Sequence, residues 1–323
     1  MDMYEHSSSS LNTYLDSPVL FYAKSRNFDF GPCNRQNVSN LSKFISHRII
    51  LEYDLVLRAL EKHKFQAIEK FIQEIFWRIY WKGWLELRPQ VWKDFIEYRP
   101  QGETSSFEAA TAGKTDIKCF DDWVYELKET NYLHNHTRMW FASIWIFTLK
   151  LPWQLGARFF LEHLYDGDAG SNTLSWRWVA GLQTKGKHYL AKPWNIRKYT
   201  NERYLNFQLN EQSQPLHEDH EYSIEPFPYG GREEKLNDYL LLTDNDLNFN
   251  NRNELYNKYK RIFILKLSNE KRIIPISRKV LEFKDNAISS FKKYYPHAEI
   301  CDDTFEEVAK SIIDFDVVYP FVG

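Results

Sequence analysis

The sequence predicts a mainly α-helical protein that ends in a small α/β module. Between Ser42 and Leu164, apolar residues recur at spacings of three and four, and no strand-like alternation interrupts them. Beyond Arg203, short apolar runs alternate with helical stretches, a pattern typical of strands joined by helices. The chain also contains 11 Trp, 20 Tyr and 23 Phe, which indicates a helical core rich in aromatic rings.

The helical part is expected to span residues 21–208, after an irregular segment at residues 1–20 that is rich in Ser and Asn. Pro89, Pro100 and the Gly-bearing stretch 102–113 mark loops between its helices. The later helices are predicted at residues 121–132 and at 139–164, with a notch at Pro152.

The C-terminal part is expected to consist of a linker and a small α/β module. Residues 209–235 are acidic, contain Pro and Gly, and suit a linker or an extended arm. The module at residues 236–323 has no G-x-G-x-x-G after any strand, so a dinucleotide site there has no support. Its strands are predicted at 239–242, 262–265 and 317–321, and its helices at 280–294 and 305–313.

Composition excludes several classes of function. Lys and Arg number 42 against 44 Asp and Glu, so any contact with nucleic acid must come from a local basic patch. The three cysteines form no C-x-x-C pair, which argues against zinc, an iron–sulfur cluster or a disulfide framework, and no metal is expected. The polar N-terminus has no apolar signal region, and the longest apolar run, 139–149, is too short to cross a membrane. We therefore expect a cytoplasmic protein with no membrane partner.

The run from Tyr165 to Trp178 concentrates two carboxylates, a tight glycine turn, an amide and two indoles in one short stretch. It resembles the flavin-binding signature of the DNA photolyase/cryptochrome family, which reads roughly D-G-D-x-A-x-N followed by W-x-W. The resemblance covers about residues 20–205. It implies a photolyase-type helical FAD-binding domain, with FAD as the cofactor.

Two further motifs resemble the family's flavin loop. Tyr22 and Arg26 stand where the family has Tyr-x-x-x-Arg, and 38–42 resembles T-S-x-L-S, with Val38 in place of the first hydroxyl. The resemblance implies that Ser39, Leu41 and Ser42 hold the flavin phosphates, a role that suits amides near a helix start. Taken alone, this serine pattern is more often a helix N-cap.

The segment from Glu74 to Arg78 resembles the family's E-L-x-W-R-E. On a helix, Glu74, Trp77 and Arg78 share one face. The resemblance implies that Glu74 meets the base of the lesion, Trp77 stacks on it and Arg78 reaches the flavin. Without the other motifs, a surface ion pair between Glu74 and Arg78 and a core position for Trp77 would be the simpler interpretation.

The segment from Tyr132 to Met139 resembles the family's W-M-H-N-R-x-R-M. Its Asn135 and Met139 match the pyrimidine-dimer photolyases, which implies that these two residues shape the lesion pocket.

The resemblance also assigns roles within the signature itself. Asp166 is expected to pair with Arg138 across the isoalloxazine, fixing positive charge near the reduced ring. Asp168 is expected to accept from flavin N–H or ribose groups. Asn172 is expected to face flavin N5, where a neutral amide favours the reduced ring.

The two indoles of the signature receive different roles. On an extended or irregular segment, Trp176 and Trp178 would point to different sides. The resemblance implies that Trp176 starts an electron-transfer chain with Trp153 as its second member, while Trp178 lines the lesion pocket opposite Trp77. No third indole is evident, so either Tyr98 or another ring takes the outermost place, or photoreduction is slow.

A basic stretch with interleaved rings follows the signature. It is a candidate strip for phosphate tracking and base stacking, with a solvated basic face as the alternative. The candidate nucleic-acid-binding residues are Arg177, Lys185, Lys187, Arg197 and Lys198.

The predicted function is light-driven, FAD-dependent repair of cyclobutane pyrimidine dimers by electron transfer from photoexcited reduced flavin. The partner is ultraviolet-damaged DNA, and the near-neutral charge favours the single-stranded form. The architecture suggests a short form without an antenna domain or antenna chromophore, and a monomer is expected. The alternatives are a cryptochrome-like blue-light photoreceptor that binds FAD without repair, and a helical binding protein with a dead flavin site.

Overall fold

A helical part comes first in the computed structural model of the chain, which describes residues 2–100, 105–219, 221–226, 237–248, 250, 252–311 and 314–318. The expected break at Pro152 is confirmed, because a helix ends before it and the next begins directly after it. In chain order the helical segments are α1 (Met3–Asp16), a 3-10 turn (Pro18–Phe21), α2 (Tyr22–Ser25), α3 (Ser42–Ser46), α4 (Glu52–Lys62), α5 (Phe65–Glu86), α6 (Pro89–Glu97), α7 (Ser105–Ala112), α8 (Lys118–Thr130), α9 (Asn135–Ser143), a π-helical turn (Ile144–Thr148), α10 (Trp153–His163), α11 (Ala169–Ala180) and α12 (Pro193–Tyr199).

The N-terminal segment is a helix, so the prediction of an irregular stretch at residues 1–20 was wrong. The side chain of Asp2 caps α1 by accepting from the Tyr4 amide at 2.9 Å. Leu11 and Leu15 are fully buried on the inner face of the helix. The run of serines obscured a helical spacing of apolar residues, and burial of that face outweighs the weak helix propensity of Ser and Asn.

A small parallel sheet follows, as predicted, and the fold class is confirmed. Among the described residues the strand order is β3-β2-β1-β4, with Leu241 of β1 opposite Phe263 of β2. The elements are β1 (Tyr239–Thr243), α13 (Asn253–Tyr256), β2 (Arg261–Leu265), α14 (Arg278–Tyr294), β3 (Ala298–Cys301), α15 (Phe305–Ser311) and β4 (Asp316–Val317).

The edges of the sheet differ from the prediction. The unpredicted strand β3 has only Ala298 buried, and its exposed Glu299 and Ile300 hid the strand pattern. Of the strand predicted at 317–321, residues 319–321 lie outside the described residues, as do residues 312 and 313 of the helix predicted at 305–313.

The predicted linker returns to the helical part wherever it is described. The Leu216 amide donates to the Ala180 carbonyl at 2.9 Å, and the Glu225 amide donates to the Leu87 carbonyl at 2.9 Å. Residues 220 and 227–235 lie outside the described residues. This segment is therefore an arm laid on the helices up to residue 226, while the boundaries of the domains stay predictions.

The N-terminal helices and the sheet share one apolar core. It contains Leu11 of α1, Leu55 of α4, Leu240 of β1 and Phe291 of α14. A second core, which surrounds Trp145, joins α8 to α11. The α/β module thus buttresses the helices that carry the N-terminal half of the site.

A buried histidine lies where the two parts meet. The ring of His47 packs edge-on against Phe283 of α14, with centroids 5.1 Å apart, and its Nδ1 donates to the Lys43 carbonyl at 2.9 Å. Lys284 Nζ lies 3.1 Å from the Asp244 carboxylate nearby. Burial, reinforced by the charge of Lys284, lowers the pKa of His47 from 6.5 to about 3.

We expect His47 to make the folded state sensitive to acid. The unfolded chain takes up a proton below pH 6.5 and the folded chain does so only near pH 3, so stability falls as the pH drops through this window. At pH 4.5 this difference in pKa lowers the free energy of unfolding by about 2–3 kcal/mol relative to neutral pH. Urea unfolding of wild type and His47→Gln between pH 7 and pH 4.5 should show a weaker pH dependence in the variant. His297→Gln, an exposed histidine of the module, is the control, and equal pH dependence in all three proteins would contradict this assignment.

Candidate cofactor and substrate site

A cavity of about 610 Å³ gathers most of the residues that the sequence motifs singled out. It lies where α5, α9 and α11 converge with the segment that leads into α3. Its volume is in the range of small-molecule and cofactor sites. The predicted residues that line it are Tyr22, Ser39, Leu41, Ser42, Glu74, Trp77, Arg78, Asn135, Arg138, Met139, Asp166, Asn172, Trp176 and Trp178.

A buried ion pair forms one part of the wall. Nη2 of Arg138 lies 3.0 Å from both carboxylate oxygens of Asp166, so the predicted pairing is confirmed. Burial opposes ionisation of Asp166. Arg138, a hydrogen bond from the Ser42 hydroxyl and the charge of Arg78 outweigh it and hold the pKa of Asp166 below its ordinary value. The role of Ser42 toward a flavin phosphate stays a prediction.

A second ion pair joins α5 to the start of α11. Arg78 donates to Asp168 at 2.9 Å, to the Ser46 hydroxyl at 2.6 Å and to the Ser42 carbonyl at 3.2 Å. Asp168 also caps α11 by accepting from the Ser171 amide at 2.9 Å. Asp168 is not among the residues that line the cavity. Its geometry therefore favours positioning Arg78 over the direct flavin contact that the resemblance implied.

Neighbouring cations also lower the pKa of Asp168. Burial opposes its ionisation, but Arg78 and Lys82 outweigh that cost and hold the pKa of Asp168 below its ordinary value. The helix is held close at this point, since a Cβ added to Gly170 would lie 3.1 Å from the Cα of Lys82.

The simpler interpretation of the Glu74 motif is wrong. Glu74 pairs with Arg26 at 2.9 Å and with Lys70 at 3.2 Å, while Arg78 binds Asp168 instead. Trp77 is 48% exposed rather than buried in the core. The ring of Trp77 is therefore accessible in the wall of the cavity.

Asn172 is held by the neighbouring helix. Its Nδ2 donates to the Ala157 carbonyl of α10 at 2.9 Å, and its side chain is buried. The remaining polar atom, Oδ1, is an acceptor, which suits a ligand N–H.

The signature indoles lie on a helix, so the expected extended segment was wrong. Trp176 and Trp178 both belong to α11, where residues two apart lie about 200° apart around the axis. The two indoles therefore point in different directions because of the helical geometry. Trp178 stacks on Tyr189 with centroids 5.8 Å apart.

Trp176 contacts buried aromatic rings that do not include Trp153, the expected second member of the electron-transfer chain. Trp176 lies edge-on to Trp145 with centroids 6.2 Å apart, an approach that Gly156 allows because a Cβ there would come within 2.3 Å of Trp176. Trp153 is not among the residues that line the cavity and stacks on Phe95 at 5.6 Å. The electron-transfer roles of Trp176 and Trp153, and of Tyr98 as an outer ring, stay predictions.

Arg177 was wrongly assigned to the nucleic-acid strip. It is 3% exposed and binds Glu218 of the returning arm, with Nη1 3.0 Å from the carboxylate. The arm neutralises this cation, which leaves no charge for a phosphate. The other candidates of the strip, Lys185, Lys187, Arg197 and Lys198, are exposed.

Sequence reasoning missed a buried carboxylate in the cavity wall. Glu52 is 2% exposed, and neither of its oxygens has a hydrogen-bond partner among the described residues. Lys82 Nζ lies 3.7 Å away. An acidic residue in the first turn of a helix is expected from the helix dipole, so this one carried no distinct signal.

The described residues were also compared with the requirements of a membrane span and of a metal site. No helix among them is long and apolar enough to span a bilayer. Nor do they bring together three or more His, Cys, Asp or Glu side chains in a way that could hold a metal ion.

The fold and the site together indicate a cofactor-binding helical domain, and comparison with known proteins shows which domain it resembles. Residues 71–214 match the FAD binding domain of DNA photolyase. Residues 71–214 are therefore similar to the FAD-binding domain of DNA photolyase, and FAD is the cofactor.

Individual relatives agree with this similarity. The chain is 34% identical over 149 residues to a deoxyribodipyrimidine photo-lyase of Streptomyces griseus, covering 45% of this chain and 32% of the relative. It is 29% identical over 192 residues to one of Neurospora crassa, covering 55% and 31%. A class III photolyase structure from Agrobacterium tumefaciens superposes with a TM-score of 0.53 at 26% identity, covering 61% of this chain and 42% of the other. The chain thus spans about a third of the length of these curated relatives.

We expect the pair between Arg78 and Asp168 to be a main support of the site. Asp168→Asn keeps an N-capping side chain but leaves Arg78 short of its partner, and should lower the free energy of unfolding by roughly 3 kcal/mol. Asp168→Ala also loses the cap and should cost about 1 kcal/mol more. In wild type this stabilisation is complete above the ordinary pKa of an aspartate and is lost as the pH falls through the lowered pKa of Asp168.

Urea unfolding measures these differences. Asp122→Asn, which breaks an exposed pair with Lys118 on α8, is the control and should cost under about 0.5 kcal/mol. Asp168 variants as stable as this control would show that the pair does not support the site.

Proposed function

We propose that this protein is a light-driven, FAD-dependent enzyme that repairs cyclobutane pyrimidine dimers in DNA, a deoxyribodipyrimidine photolyase. One observation carries the proposal: the half-exposed Trp77 shares a single cavity with Trp178, Glu74 and the Arg138–Asp166 pair. The names of the curated relatives support the same activity. A photoreceptor would need the flavin part of this cavity but not its exposed ring.

The residues of the cavity fit FAD. Arg138 is fixed by Asp166 and would place positive charge beside the isoalloxazine, while Oδ1 of Asn172 would accept from flavin N5–H. Glu52 offers two acceptor oxygens that have no hydrogen-bond partner among the described residues, which suits the N–H and hydroxyl donors of FAD. When bound, FAD would supply the absorption of light and a one-electron donor.

The same cavity fits a pyrimidine dimer turned out of the base stack. Trp77 and Trp178 offer aromatic surface for the two pyrimidines, and Asn135 and Met139 complete the wall. Glu74, held by Arg26 and Lys70, offers carboxylate oxygens to a thymine N3–H. In this arrangement the protein binds and orients the dimer and shields it from water.

We propose single-stranded DNA as the preferred form of the substrate. The net charge of −2 gives no overall basic field, and with Arg177 neutralised only the four exposed cations of the strip remain to follow a phosphate backbone. A single strand also avoids the cost of unpairing the dimer from its complement.

Repair of an ultraviolet-irradiated oligothymidine under blue light tests this function. The reduced, FAD-loaded wild type should restore thymine absorbance only when light and protein are both present. Glu74→Gln should lower the yield per absorbed photon roughly 2- to 10-fold, because a charge-assisted hydrogen bond to the dimer is lost. Glu69→Gln, an exposed position on the same helix, is the control and should match wild type.

The other outcomes separate the alternatives. A FAD-loaded protein that responds to light but repairs nothing would identify a photoreceptor. A protein that takes up no FAD would identify a binding protein with a dead flavin site.

The proposed contact of Glu52 with FAD predicts that substitution of Glu52 weakens the binding of FAD. Glu52→Gln should weaken FAD binding about 5-fold or more, because one of the two acceptor oxygens is replaced by an amide donor. Titration with FAD and with FMN locates the contact: loss for FAD alone assigns it to the adenosine half, and loss for both assigns it to the flavin half. Glu61→Gln, an exposed position on α4, is the control, and unchanged affinity for both ligands would remove Glu52 from the site.

A further inference from the structure

Helix α5 carries more aromatic side chains into the cavity than the lesion-pocket motif explains. Trp77, Tyr80, Trp81 and Trp84 follow the spacing of three, four and seven that defines one helix face, and all four line the cavity. We refer to these four residues as the aromatic strip. Trp77 is the only member that the sequence motifs singled out.

Three rings of the aromatic strip, those of Trp77, Tyr80 and Trp81, form one connected surface, and Trp84 lies three residues further along α5. Trp77 stacks on Trp81 with centroids 5.5 Å apart and an interplanar angle of 30°. Tyr80 contacts both of them, at 5.4 Å from Trp77 and 5.2 Å from Trp81. The strip extends about 10 Å along the helix axis, a length that matches two to three stacked nucleotides at roughly 3.4 Å each.

The members of the strip differ in exposure: Trp81 and Trp84 are partly buried against a small apolar cluster, whereas Trp77 and Tyr80 are exposed. Tyr80 is 51% exposed and so remains available to a ligand although it lies in a cavity wall. At the far end of the strip, the guanidinium of Arg88 lies 4.3 Å over the ring of Trp84, which places a cation where the path of a bound strand would continue.

The overall charge favours stacking as the main source of affinity. A protein of net charge −2 has no overall field that attracts phosphates, whereas the stacking of bases on aromatic rings needs no such field. A base can use these rings only when it is unpaired. The strip therefore suits a single strand that continues out of the lesion pocket.

We propose that Tyr80, Trp81 and Trp84 form a stacking site for the unpaired nucleobases that flank the dimer, so that the chain binds single-stranded DNA beyond the lesion itself. This inference rests on the proposed repair function, since Trp77 links the stacking site to the pocket for the dimer. Trp77 would hold the dimer, and the rest of the strip would hold its neighbours.

Binding to two ligands tests the stacking site. One ligand is a short oligothymidine with a single central dimer, and the other is the isolated dinucleotide dimer, which has no flanking bases. Tyr80→Ala and Trp84→Ala should each weaken binding of the oligonucleotide roughly 5- to 100-fold. Binding of the dinucleotide should be unchanged. The salt dependence of oligonucleotide binding should keep its slope, because no phosphate contact is lost.

Matched controls are available in the protein and in the oligonucleotide. Phe76→Ala removes a neighbouring ring of α5 that is 52% exposed but does not line the cavity, and it should bind like wild type. Tyr80→Phe keeps the ring and should restore affinity. Replacing one flanking nucleotide by an abasic spacer should weaken wild type but not the matching Ala variant, which identifies the side of the dimer that the strip contacts.

Each remaining outcome decides the question. Oligonucleotide affinities equal to those of Phe76→Ala would overturn the stacking site, and so would an equal loss for the dinucleotide, which would mean that the strip only shapes the lesion pocket. Retained FAD binding shows that the variants are folded. A wild type that binds the oligonucleotide through the strip but repairs nothing under blue light would overturn the proposed function and leave the stacking site standing.

Discussion

The connection between α5 and the start of α11 is the constraint on which the site depends. Asp168 caps α11 and binds Arg78 of α5, and Gly170 lets the two helices approach closely. This contact sets the position of α11, which carries Asn172 and both signature indoles. A buried ion pair adds little net stability over an apolar contact, but breaking it leaves an expensive unpaired charge. It therefore specifies one arrangement of the two helices.

The cavity retains features that lower stability and serve binding. Trp77 and Tyr80 keep half of their surface exposed, and Glu52 is buried without a hydrogen-bond partner among the described residues. Burying polar oxygens without hydrogen bonds costs free energy that a folded core normally avoids. The packed rings around Trp145 and the core shared with the α/β module stabilise the fold and so offset this cost. Groups left unsatisfied in this way are those that a ligand can complete.

The α/β module and the returning arm act on the site from outside it. The module completes the core beneath α1 and α4, and His47 and Phe283 meet at the contact. The arm places Glu218 on Arg177 and thereby removes a cation from the surface next to the cavity. The electrostatic character of the site is therefore set partly by residues far along the chain.

The sequence by itself determined the features that depend on local spacing. Helical periodicity defined the helical part, and short motifs identified Arg138 with Asp166, the ring of Trp77 and the FAD-binding domain. It could not reveal α1, because its serines masked the apolar face, or β3, because that edge strand buries little. Only the tertiary structure decided which charges meet: Arg78 with Asp168 rather than Glu74, and Arg177 with Glu218 rather than DNA. Such partners are separated by many residues, and their pairing follows from burial in the fold, which no local pattern records.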